Sequence, residues 1–122
     1  MAQEKAFETR IKSHLDRCGA YHVKFFANSY TKVGVPDVLA CLNGHFMAIE
    51  VKAPNGRPSA LQIHNLEQIR DAGGYGLLLY PKDWLRFVRL CDDLMYGKFP
   101  EDYNYFKGVI EQWKSRIESS TC

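Results

Sequence analysis

Asn43-Gly44 is the feature that most narrows what this chain can fold into. It stands between two runs rich in strand formers, Asp37 to Leu42 and His45 to Lys52. Asn-Gly in that setting favours a two-residue hairpin turn, because both central residues must take positive φ. A turn that short fixes the register. Leu42 faces His45, and every step outward keeps the paired numbers summing to the same value, so Asp37 lands opposite Glu50. Side chains alternate along a strand, which puts Lys52 on the face of Glu50. The other face carries Val38, Ala40 and Leu42 with Met47, Ile49 and Val51, an apolar surface that has to pack against a helix.

Carboxylates directly opposed on adjacent strands sit about 5 Å apart at Cβ and repel. A fold keeps such a pair when a proton or a cation lies between them. One lysine offsets two carboxylates only in part. A divalent, oxygen-preferring ion does better: Mg²⁺ (or Mn²⁺ in its place) is held by one or two carboxylates and leaves its other positions to water and phosphate oxygens. The main-chain carbonyl of Val51 could add a ligand. Lys52, at the edge, could orient an attacking water or meet charge building on a phosphate. Blander readings compete, since Glu-x-Lys on a strand is commonly a solvated face and Pro-Asp is commonly a turn. The turn weighs against them, because it sets the register independently of either motif.

The rest of the chain reads as alternating elements. Phe7, Ile11, Leu15 and Cys18 recur at helical spacing from about Gln3, and Gly19 stops that helix. Tyr21 to Phe26 reads as a strand and Asn28 to Pro36 as a polar loop. After the hairpin, the prolines of 53–58 end the strand, and Ser59-Ala-Leu-Gln62 is a capping box opening a helix to Ala72. Tyr75 to Tyr80 is a short apolar strand, so strand, helix and strand suggest a parallel crossover. Asp83 reads as the cap of a segment with Trp84, Phe87, Cys91 and Leu94 on one helical stripe; alternation of Trp84, Arg86, Val88 and Leu90 leaves a strand as the weaker reading. A last helix after Pro100 carries Phe106, Val109, Ile110, Trp113 and Ile117, a stripe that suits core or dimer contact better than base stacking. The fold expected is α/β: α-β-β-β-α-β around a mixed sheet flanked by helices, with C-terminal helices over about 83–119.

The length of 122 residues, with 46% hydrophobic and 25% charged, suits one globular domain and excludes a disordered or collagenous chain. No apolar run approaches the roughly 18 residues of a membrane span, and no secretion signal is visible, so an intracellular, cytoplasmic protein is expected. Net charge +2, from 16 basic and 14 acidic side chains, is compatible with nucleic-acid binding without arguing for it. Cys18, Cys41, Cys91 and Cys122 stand far apart and away from the histidines in sequence, which argues against a zinc site or a disulfide framework. Cys18, Cys41 and Cys91 read as small buried hydrophobes in a reducing compartment.

Taken together, Gly34-Val-Pro36-Asp37, Glu50-Val-Lys52 and Gln62 resemble the PD-(D/E)xK nuclease pattern. The fuller run is similar to its VRR-NUC branch: Gly-x-Pro-Asp, a hairpin glycine, Ile-Glu-Val-Lys, Gly-Arg-Pro-Ser, then Gln and Gly-Gly before the next strand. The resemblance spans roughly residues 4–80. The first helix, with Glu8, Ile11, Leu15 and Gly19, is also similar to that of archaeal Holliday-junction resolvases.

The resemblance implies Asp37 and Glu50 as metal ligands and Lys52 as the catalytic lysine. It also implies Glu8 as a helix-borne carboxylate completing the site, with an ordinary exposed helix acid as the alternative. Gln62 would hold the site or the substrate, a role that can coexist with capping. The activity implied is Mg²⁺- or Mn²⁺-dependent hydrolysis of DNA phosphodiester bonds, with four-way (Holliday) junctions cut by a homodimer as the preferred substrate. The exposed side of the C-terminal helices offers one dimer surface. Lys32 and Arg57 could touch the DNA backbone, although basic loop residues are usually only solvated. Competing functions are a flap or duplex nuclease, a non-catalytic module binding DNA structures, and an α/β scaffold for protein partners.

Overall fold

The computed structural model describes residues 2–120. The first helix, α1 (Ala2–Arg17), buries Phe7, Ile11 and Leu15, one side chain per turn along one stripe. Strand β1 (Tyr21–Lys24) is shorter than the expected run to Phe26 and lies at the sheet edge, with its outward residues exposed. β2 (Val38–Leu42) and β3 (His45–Val51) form the hairpin, with Leu42 opposite His45 and Val38 opposite Ile49. Asn43 and Gly44 both adopt positive φ, 49° and 81°, as a tight primed turn requires. The register read from the sequence is therefore the register of the fold, and the next pair outward is Asp37 with Glu50.

Helix α2 (Ala60–Asp71) begins at Ser59 with both bonds of the capping box: the Gln62 N–H donates to Ser59 Oγ, and the Ser59 N–H donates to Gln62 Oε1. It leads into β4 (Tyr75–Leu79), which pairs parallel with β3 and completes a four-stranded mixed sheet in the order β1-β2-β3-β4. Two helices follow, α3 (Trp84–Met95) and α4 (Tyr103–Ser120). The segment from Trp84 is helical because Phe87, Leu90, Cys91 and Leu94 bury a full stripe, which an alternating strand could not do. Asp83 does not cap it. Its side chain makes no cap bond and instead accepts from the Tyr105 hydroxyl at 2.6 Å, buried beneath α4.

The sheet is apolar on both sides. Val38, Ala40, Leu42, Met47, Ile49 and Val51 pack with α1 and α3 residues, the packing that the hairpin pattern demanded. Leu78 and Tyr80 pack on the opposite side with Ile63 and Leu66 of α2 and Ile110 of α4. Phe106 is fully buried and Trp113 packs against this second cluster, so the last helix spends its stripe on the core. Cys91 is buried and Cys18 half-buried, but Cys41 is exposed, contrary to expectation. Cys41 points to the α2 side of the sheet, where α2 packs chiefly on β3 and β4. Cys122 lies outside the described residues. Among the described residues no helix is long and apolar enough to cross a membrane.

Candidate active site

The acid pair stands where the hairpin meets the start of α2, and each member is held by backbone. The Asp37 carbonyl accepts from the Phe25 N–H at 2.8 Å, while its Oδ2 accepts from the Val51 N–H at 2.9 Å. The loop before Asp37 is pinned to α2 by Asn65, whose Nδ2 donates to the carbonyls of Val33 and Leu61. Gly34 allows that approach: a Cβ there would sit 2.8 Å from the Leu61 backbone, and its φ is +85°. On β3, Glu50 is 3% exposed, paired to Leu78 of β4 on one side and reached by the Asp37 charge on the other.

Glu50 is the most perturbed acid of this centre. Burial pushes its pKa up to about 8, Asp37 adds to the rise, and Lys52 only partly offsets it. Lys52 Nζ lies 3.5 Å from Glu50 Oε2, and Gln62 Nε2 donates to the same oxygen at 3.1 Å. Gln62 thus caps α2 with its oxygen and holds Glu50 with its nitrogen, both roles at once. The other oxygen, Oε1, is buried with no hydrogen-bond partner. A buried carboxylate oxygen without a donor is costly, and it marks a place where a proton or a cation belongs.

Glu8 reaches the site through a residue that sequence reasoning passed over. Lys24 Nζ lies 2.6 Å from Glu8 Oε1 and 3.7 Å from Asp37 Oδ1, bridging the helix acid to the strand acid. Lys12 adds a second cation, 3.3 Å from Glu8 Oε2. Burial alone would raise the pKa of Glu8, but the bonds from Lys24 and Lys12 outweigh it and hold it below the usual value. The same balance runs the other way for Lys24: burial opposes its charge, and Glu8 wins, raising its pKa. The signal for Lys24 was its place on β1 opposite Val38, the neighbour of Asp37.

Asp37, Glu50, Val51, Lys52 and Gln62 therefore come together, with Glu8 joined through Lys24. Val51 contributes its N–H to Asp37, which the sequence did not suggest. Lys32 and Arg57 stand apart. Lys32 donates to Gln68 at 3.3 Å, further along α2, and Arg57 is exposed on the 53–58 loop, lining an open cavity with Tyr80 and Trp113. Away from this centre, the fold also brings His14, Cys18 and Cys91 together, a clustering that their sequence spacing had argued against. No protein-family model matches the chain, and no curated protein is significantly similar to it.

The donor set would suit a hard divalent cation: two opposed carboxylates, one of them with an orphaned buried oxygen, and a largely buried lysine beside it. With such an ion bound, the arrangement would polarise a phosphate and position a water beside it.

Proposed function

We propose that this chain is a metal-dependent endonuclease with a PD-(D/E)xK core of the VRR-NUC type, hydrolysing DNA phosphodiester bonds. One observation carries the reading: Glu50 is buried beside Asp37, with Lys52 and Gln62 on one oxygen and no hydrogen bond to the other. What favours a cation is the opposition of two carboxylates, a repulsion that an ion held between them would relieve.

Asp37 and Glu50, with the Val51 carbonyl, would hold Mg²⁺ or Mn²⁺; when bound, such an ion neutralises charge on a phosphate oxygen and makes a neighbouring water more acidic. Gln62 fixes the Glu50 carboxylate so that one oxygen faces the cation. Lys52 orients the water and meets the negative charge that develops on phosphorus oxygens during in-line attack. Lys24, itself held by Glu8, steadies Asp37 from the Oδ1 side. The loop leading to Asp37 presents Phe26 and Tyr30 to solvent, 76% and 97% exposed, alongside Lys32, a mix suited to nucleic-acid bases and backbone.

Within this activity the preferred substrate is branched DNA, four-way junctions cut by a homodimer, because symmetric cuts in two strands need two sites. The test is incubation with labelled junction, flap, single-stranded and linear duplex DNA in Mg²⁺ or Mn²⁺. Paired symmetric nicks in the junction are expected. Cleavage confined to flaps or duplex would overturn the substrate, and no cleavage of any DNA would overturn the activity.

A further inference from the structure

His14 and Cys18 stand four residues apart at the end of α1, and Cys91 on α3 meets them. The ligand atoms of the three lie within 4.8 Å of one another. We infer that His14, Cys18 and Cys91 form a second metal site, one that takes Zn²⁺ and ties α1 to α3.

The geometry is close to what zinc requires. Zn–S of about 2.3 Å and Zn–N of about 2.0–2.1 Å place tetrahedral nitrogen and sulfur ligands about 3.5 Å apart, and two sulfurs about 3.8 Å apart. His14 Nε2 and Cys18 Sγ are 3.5 Å apart, already one edge of that tetrahedron. The imidazole is wedged edge-on against Trp84 and Phe87, with ring centroids 5.6 and 5.8 Å away, which fixes its direction without using a ring nitrogen. Cys91 is fully buried and Cys18 half-buried, so the site has a dry floor and one open side.

The charges fit as well. Burial lowers the pKa of His14, which favours the neutral imidazole that a metal binds. Burial raises those of Cys18 and Cys91, so without a cation both stay thiols. Zn²⁺ would displace one proton from each, and two thiolates balance its charge. The Asp92 carboxylate, exposed beside Cys91, adds negative potential at all three groups. The fourth position falls to water. Nitrogen and sulfur donors select zinc over Mg²⁺, so this site and the acid pair would not compete for an ion.

The inference stands independently of the nuclease reading. It is tested on the full chain, stripped by chelator, kept reduced and titrated with Co²⁺. Thiolate-to-cobalt charge-transfer absorption is expected at one ion per chain, bleached by Zn²⁺ and unaffected by Mg²⁺. Cys18→Ser should abolish the band, His14→Gln should weaken Zn²⁺ binding by at least about tenfold, and the Cys41→Ser/Cys122→Ser double variant should retain it. Circular dichroism matching the parent chain shows that each variant folds; Cys91→Ser is avoided because it alters a fully buried position. A full chain with no such band, a band that survives Cys18→Ser, or one lost in the double variant would overturn the site.

Discussion

The two metal sites proposed among the described residues differ in how the chain brings them together. Asp37 and Glu50 are joined by a single hairpin, across a turn whose two residues dictate everything outward. His14 and Cys18 meet Cys91 only because α1 and α3 pack on the same face of the sheet. The first centre is made of hard oxygen donors and is strained by like charge. The second is made of soft donors and is quiet, two thiols and an imidazole that can stay neutral. Local geometry can be strained into a site by a few residues, whereas a site between helices forms only once the whole core has formed.

The largest expected effect is at the acid pair. Glu50→Gln keeps the size and the Gln62 contact but removes the charge, and it should lower DNA cleavage by about 10²–10³-fold or more while DNA binding persists. Cleavage rates measured beside binding curves would check it. Unchanged turnover would erase the contrast between the two centres.

Next comes pH. With the pKa of Glu50 raised to about 8, the folded chain holds a proton that the unfolded chain releases above the ordinary value of 4.5. Metal-free stability should therefore fall as pH rises from about 4.5 to 8, by an amount on the order of a few kcal/mol. Denaturant unfolding at pH 5, 7 and 9 would show it; Glu50→Gln should flatten the profile and Mg²⁺ should restore stability at high pH. A profile that is flat in the parent chain would place the strain elsewhere.

Two glycines sharpen the point about local geometry. Gly34→Ala drives a methyl into the Leu61 backbone as well as straining φ, and should cost about 2–3 kcal/mol and displace Asp37. Gly44→Ala meets open space and strains φ alone, for about 1 kcal/mol. Thermal melts of the two would rank them. At the bottom of the scale, Cys41→Ser at an exposed position of β2 should change stability by less than about 0.5 kcal/mol.

The same contrast explains what could be read from the sequence. The hairpin register, the apolar face, the capping box and the helical stripes were legible because each rests on neighbours within a few residues. The meeting of Asp37, Glu50 and Lys52 followed from the register, whereas Gln62 was placed at the site only by the resemblance. Lys24 was not legible as a partner, because a long loop separates it from Asp37 and only the β1–β2 pairing brings it back. The His14–Cys18–Cys91 cluster was hidden for a stronger form of that reason, Cys91 lying on α3, far along the chain from the other two on α1 and just after it. Asp83 looked like a cap by position, yet α4 covers it and Tyr105 takes its carboxylate, a contact that no local pattern announces.

Crystals soaked in Mn²⁺ and recorded near the manganese absorption edge test the central claim most directly. The account predicts an anomalous peak within coordination distance of one oxygen each from Asp37 and Glu50, absent in Asp37→Asn. An empty site, or acids whose side chains turn away from each other, would contradict it.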